Sequence, residues 1–147
     1  MCLVASLMVS CSGSYAAESG TTHILTQKSL QYPEGIVQKK QSIQDHQQYL
    51  CVKKVRIGDT VILQLPVCDE YTVKHIWTSG EDHIEFLGSE NITKNIDGTP
   101  MPYEAYKYKI ISAPKNKYDE LGINYWVCPE LTGKEEYVVN YELIVVG

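Results

Sequence analysis

The sequence predicts an all-β protein, an antiparallel β-sandwich of about seven strands preceded by a flexible N-terminal leader. Three observations carry that expectation. Apolar and polar residues alternate with period two through most of the chain after residue 50, which is the signature of half-buried strands. Turn residues punctuate the alternation at Gly58-Asp59, Ser79-Gly80, Asp97-Gly98, Pro114-Lys115-Asn116 and Thr132-Gly133. The aromatic balance is eleven Tyr against one Phe, and Tyr suits a strand whose ring packs while its hydroxyl stays wet. Seven short strands in roughly 100 residues make the sandwich immunoglobulin-like.

The leader comes first. Met1 to Ser10 contains no charge, and Leu3, Val4, Ala5, Leu7, Met8 and Val9 form an apolar run the size of a signal-peptide core. Two export readings stand side by side. Met8-Val9-Ser10-Cys11-Ser12-Gly13 resembles a bacterial lipobox, which makes Cys11 the lipidated residue. Ser14-Tyr15-Ala16 resembles an ordinary cleavage site. Either way residues 1–16 are a leader, and the mature chain belongs in the cell envelope or outside the cell. Residues 17–49 are polar, rich in Gln and poor in periodicity, and are expected to be a linker. Residues 50–147 are expected to be the folded domain.

Its strands follow in order. Leu50 to Arg56 holds Val52 and Val55; Thr60 to Leu65 is β-branched and ends at Pro66. Lys74 to Thr78 and His83 to Leu87 each stop at a Gly-containing turn. In Tyr103 to Ser112, Tyr106, Tyr108 and Ile110 share a face opposite Lys107 and Lys109. Leu121, Ile123, Tyr125 and Val127 share another, as do Tyr137, Val139, Tyr141, Leu143 and Val145. Trp77 and Tyr125 are expected in the core.

Composition removes several functions. Thirteen basic residues against eighteen acidic ones give a net charge of −5, and Arg56 is the one Arg. There is no basic stripe for nucleic acid and no polybasic patch for anionic lipid, so a membrane partner enters only through the N-terminal lipid anchor. No P-loop, dinucleotide fingerprint, HExxH or CxxC occurs. His75 and His83 sit on separate strands, and no set of nucleophile, base and orienting group converges. The chain is therefore expected to be no enzyme and to carry no metal or cofactor. Asn91-Ile92-Thr93 is an N-glycosylation sequon, which matters for a eukaryotic source. With Cys2 and Cys11 in the leader, Cys51, Cys68 and Cys128 remain, so at most one intramolecular bridge forms among them.

Val55-Arg56-Ile57-Gly58-Asp59-Thr60-Val61-Ile62-Leu63-Gln64-Leu65-Pro66 resembles the opening strands of the chagasin-type inhibitors of papain-like cysteine proteases. In that family a loop with Asn-Pro-Thr-Thr-Gly follows the Leu-Pro, then a strand with a Trp. Here Val67 to Val73 is that loop, keeping Thr72 of the motif, and Trp77 follows in register. Asp97 to Pro102 stands where the family has a Gly-rich second loop. Tyr125-Trp126-Val127-Cys128-Pro129-Glu130 stands where it has Arg-Pro-Trp, keeping Pro129. The likeness spans about residues 50–147.

The resemblance implies a reversible, tight-binding inhibitor and a papain-like cysteine protease as its partner. Three loops at one end of a stiff, monomeric sandwich would occlude the protease cleft without a covalent bond. The residues implied are Cys68, Tyr71 and Thr72 in the central loop, Gly98, Pro100 and Met101 in the second, and Trp126, Pro129 and Glu130 in the third. It also implies that Cys68 and Cys128 lie in neighbouring loops, where a disulfide would close a loop of about 60 residues and contribute roughly 3–4 kcal/mol. The alternative is a non-inhibitory immunoglobulin-like envelope module binding protein or glycan, which the loss of both loop motifs favours.

Overall fold

A computed structural model describes residues 20–31, 34–41, 47–68, 71–116, 119–130 and 136–147. The expected leader, with Cys11 and the cleavage expected after Ala16, lies outside the described residues.

The described residues form nine strands: β1 (Thr22–Thr26), β2 (Gln38–Gln41), β3 (Gln47–Val55), β4 (Thr60–Pro66), β5 (Tyr71–Ser79), β6 (Ile84–Ile96), β7 (Thr99–Ile110), β8 (Gly122–Pro129) and β9 (Tyr137–Val145). A 3-10 turn, Glu81–His83, precedes β6. The strands make two sheets, ordered β1-β4-β7-β6 and β2-β3-β9-β8-β5. Within them β1 runs parallel to β4 and β3 parallel to β9; the other pairs are antiparallel.

All seven strands expected from residue 50 onward are present, and their alternation is realised in burial. Val61, Leu63 and Leu65 of β4 face Ile123, Tyr125 and Val127 of β8 and Val139, Tyr141 and Leu143 of β9 across one core. Period-two burial of this kind is what fixes the register, because a slip by one residue would turn the whole set to water.

Two strands come from the stretch expected to be a linker. The 17–49 linker is corrected accordingly: β1 pairs with β4, and β2 with β3. Their sequences, THILT and QKKQ, carry little alternation because each is an edge strand held by its neighbour's backbone. The segment after β1 is also built into the interior. Gln27 is fully buried; its amide nitrogen donates to Ser29 O at 2.5 Å and to Tyr137 Oη at 3.1 Å. Its carbonyl accepts from the Tyr125 hydroxyl. Tyr103 Oη donates to Gln27 O at 3.1 Å, and Tyr137 Oη to Leu30 O. Burial pushes the Tyr125 and Tyr137 hydroxyls upward in pKa, so they serve as donors. A polar run thus enters the core because three tyrosine hydroxyls satisfy it, which meets the requirement that buried polar groups be paired.

The sixth and seventh strands are longer than expected. Gly88, read as the end of a strand, is a bulge at φ 122, with the register shifting between Phe86 and Gly88. The polar run Ser89 to Ile96 then continues as strand. Asp97 and Gly98 turn the chain at φ 52 and 87, the two positive values of a tight hairpin. Pro100 and Pro102 therefore lie in β7. Val67 N donates to Pro102 O at 3.0 Å, so the missing N–H of both prolines faces away from β6 and no β6–β7 bond is lost.

Candidate functional site

β4 ends at Pro66 and β5 begins at Tyr71, so both meet at one end of the sandwich. β8 is antiparallel to β5, with Tyr71 opposite Pro129, so β8 finishes at that end and β9 starts there. β7 is antiparallel to β4, with Pro66 opposite Tyr103. Residues 99–102 of β7 and their β6 partners therefore project beyond β4 as a two-stranded arm, about 14 Å long at ~3.4 Å per residue. Three chain reversals, after Pro66, at Asp97-Gly98 and after Pro129, gather at this tip end. The opposite end, the base, carries the Gly58-Asp59 turn.

Thr72, Pro129 and Glu130 come together at the tip. Thr72 is exposed, and its hydroxyl donates to the Glu130 carboxylate, tying the start of β5 to the chain leaving β8. Pro129 is half-buried against Tyr71. Gly98 is exposed at the end of the arm, where Lys28 Nζ approaches the Asp97 carboxylate at 3.9 Å on the open surface. Beneath the β4–β5 connection lies a cleft of about 190 Å³ walled by Leu30, Pro66, Cys68, Tyr71, Thr72 and Glu104. Val67, 53% exposed, stands at its rim. Its position is legible only as the residue after the Leu-Pro that ends β4; sequence reasoning passed it over.

Several expected site residues sit elsewhere. Tyr71 is 6% exposed and part of the core, because it opens β5 on the inward side; it offers no surface at the centre of the tip. Pro100 is exposed and Met101 half-buried, but both belong to the arm's strand rather than to a loop. Trp126 is half-buried on the outer face of the five-stranded sheet, opposite His75, with Lys74 Nζ 5.5 Å from its ring centre. It is a flank residue. Trp77, expected in the core, is 37% exposed on that same face, stacked with His75 at 5.3 Å. The bulge between Val73 and His75 is what turns His75 and Trp77 outward while Ile76 packs inward. Tyr125 is core, as expected.

The Cys68–Cys128 bridge is also corrected: both thiols are free. Cys68 packs against the core from the β4–β5 connection. Cys128 alternates with the inward Val127, so it falls on the outer side of β8, beside Glu136 and Lys74. The two sulfurs approach the sheet from opposite faces. Burial, with Glu136 next to it, raises the Cys128 thiol pKa. Cys51 is 2% exposed, and burial pushes its pKa up to about 11, which makes it a poor nucleophile.

Among the described residues no group of three or more His, Cys, Asp and Glu side chains is arranged to hold a metal ion. None of the described helices is long and apolar enough to cross a membrane. A wider cleft of about 640 Å³ at the base is lined by Glu81, Asp82, Asp119 and Glu120 and lies at the far end from the tip.

No family model matches the sequence, and no curated protein matches it. Among solved structures, the chain superposes on the cysteine protease inhibitor EhICP2 from Entamoeba histolytica with a TM-score of 0.51. The match covers 86% of this chain and 96% of that one, at 16% identity. The chain shares the fold of a cysteine protease inhibitor. An inclusion body protein from Burkholderia cenocepacia gives a fainter likeness, TM-score 0.35 at 14% identity over 63% of this chain and 59% of that one. The likeness to the Entamoeba inhibitor reaches back beyond residue 50, since 86% of this chain exceeds residues 50–147 alone. That agrees with β1 and β2 being part of the sandwich.

Proposed function

We propose that the protein is a reversible inhibitor of papain-like cysteine proteases that places its tip end in the protease cleft. One observation carries the reading: three chain reversals converge at a single end of a sandwich whose fold is that of a cysteine protease inhibitor. The arm turn at Asp97-Gly98, Val67 with Thr72, and Pro129 with Glu130 form the contact surface. The Thr72–Glu130 tie and the hairpin turn hold it in shape before binding, so little conformational entropy is lost on docking. Binding involves no bond to the protease and no chemistry by this chain, which acts as a monomer.

Titrating papain with the folded protein should abolish peptidase activity at stoichiometric inhibitor, with recovery on dilution. Thr72→Ala should weaken inhibition about tenfold, a contribution of about 1–2 kcal/mol, and leave the urea midpoint unchanged. Papain that stays fully active in a large excess of folded protein sinks the reading. Tyr71→Ala is no test of docking, because removing a buried aromatic costs about 3–5 kcal/mol of stability.

Export fits this arrangement. The described chain starts at the base, where Thr21 N donates to Asp59 Oδ1 at 3.0 Å, so a leader ending after Ala16 or a lipid on Cys11 would leave the tip clear. The second reading, an envelope module that binds protein or glycan, is favoured by the exposed Trp77–His75 stack and Trp126 on the flank. Trp77→Ala would abolish that binding and spare papain inhibition.

A further inference from the structure

The Asn91-Ile92-Thr93 sequon, the one match to that pattern in the chain, occupies a distinctive place in the fold. β6 is the last strand of its sheet, paired with β7 on one side, and among the described residues no strand pairs with its other side. It is 13 residues long. A free edge of that length is a template for pairing with another chain, which soluble β proteins normally cover or interrupt. The bulge at Gly88 interrupts its first part only. Within the remainder, Asn91 and Thr93 are both exposed and, two residues apart on a strand, share one face; Ile92 between them is half-buried opposite Tyr103.

We propose that Asn91 is an N-glycan acceptor, and that its sugar shields the free edge of β6. In the transfer, Asn91 Nδ2 bonds to the anomeric carbon of a lipid-pyrophosphate-linked oligosaccharide. The bond from that carbon to the pyrophosphate oxygen breaks, Nδ2 gives up one proton, and the lipid pyrophosphate leaves; nothing is oxidised or reduced. The Thr93 hydroxyl is the element the transferase reads. The folded protein has room for the product, because both side chains face solvent. Asn91 is level with Glu104 and Leu65, five strand positions short of Ile96 and so about 17 Å from the arm's turn. The sugar therefore hangs from the outer edge of the sheet at the root of the arm, two strands across from β4, and the acceptor assignment is independent of the protease reading.

The test is to secrete the full chain from a eukaryotic host behind the host's own leader and recover it from the medium. Peptide-N-glycosidase should then produce one step of increased mobility. Asn91→Gln and Thr93→Ala should abolish the step, and Thr93→Ser should keep it. Secreted, folded chain with no glycosidase-sensitive step overturns the acceptor assignment. On slow heating, the glycosylated form should scatter less light than the enzymatically trimmed form at equal concentration; identical scattering overturns the shielding role. Papain inhibition is measured on both forms. Its absence in both counts against the inhibitor reading and leaves Asn91 untouched.

Discussion

Asp59 joins more of the base than any pattern around it suggests. Its Oδ2 accepts from Arg56 N at 2.8 Å and meets His23 Nε2 at 2.7 Å, while Oδ1 accepts from Thr21 N. Burial pushes its carboxyl pKa up; the His23 hydrogen bond, the backbone donors of Arg56 and Thr21 and the His23 charge outweigh that and hold it below the ordinary 3.8. The folded pKa is depressed, so the unfolded chain binds the extra proton. The stability from Asp59 is thus fully present above about pH 4 and is lost as the pH falls through the lower, folded value. Asp59→Asn should lower stability at pH 7 by about 1.5–3 kcal/mol, the worth of hydrogen bonds to a charged group. It should also flatten the stability–pH curve below pH 4. Urea midpoints measured from pH 2 to pH 7 check both; equal acid slopes in variant and parent would refute the assignment. From the sequence, Gly58-Asp59 was readable as a turn. The partnership with Thr21 and His23 was not, since 36 or more residues separate them and neither carries a periodic signal.

At the scale of elements, the first two strands decide how the domain must be handled. β1 covers the edge of β4, the Gln27 side chain bonds two buried tyrosines and its backbone carbonyl a third, and Leu30 is 1% exposed. A chain beginning at Gln47 would leave the Tyr125 hydroxyl buried without its acceptor and the β4 edge bare. Each orphaned polar group costs about 1–3 kcal/mol, and a lost Leu side chain about 2–5 kcal/mol. Together these match the whole stability of an ordinary domain. That truncation should be aggregated or molten by near-ultraviolet circular dichroism, whereas a chain beginning at Gly20 should unfold cooperatively at the midpoint of the full protein. A native-like spectrum from the shorter chain would contradict the account. The contrast explains what was legible. Strands such as Thr60–Pro66 and Tyr137–Val145 bury alternate side chains, and burial writes itself into sequence as period two. THILT buries only Leu25 and is otherwise held by pairing to β4, and QKKQ is held by pairing to β3, which leaves no hydropathy pattern. For the same reason Ser89 to Ile96, exposed on most of its residues, was invisible as strand. Of the candidate site, Thr72, Gly98, Pro129 and Glu130 lie at the tip end, which follows from the order of the loops along the chain. The inward turn of Tyr71 and Cys68 and the outward turn of Trp126 and Cys128 do not follow from loop order, because which face each side chain takes depends on the pleat and on one bulge.

The described part of the molecule is polar in the geometric sense: the proposed contact surface lies at one end, and the first described residues and Gly147 lie at the other. Thr60 N donates to Thr21 O at 3.0 Å and Arg56 Nη1 to Gly147 O at 2.6 Å, so the first described residues and the C-terminus both flank the Gly58-Asp59 turn. The tip lies a full strand length away; β4 alone, seven residues at ~3.3 Å each, separates them by about 23 Å. A sandwich fixed to a surface by either end therefore presents Val67, Thr72 and the arm to solution. This geometry makes a prediction that owes nothing to any single side chain. Protein immobilised through an N-terminal or a C-terminal tag should capture papain with equal capacity and indistinguishable dissociation rates. The same tag inserted between Asp97 and Gly98 should leave the fold intact, since hairpin turns tolerate insertion, yet abolish capture by filling the space in front of the tip. Biosensor traces on the three forms discriminate the cases. If the C-terminal tag blocked capture while the arm insertion did not, the protease would be meeting the base or the Trp77 flank, and the tip would lose its role.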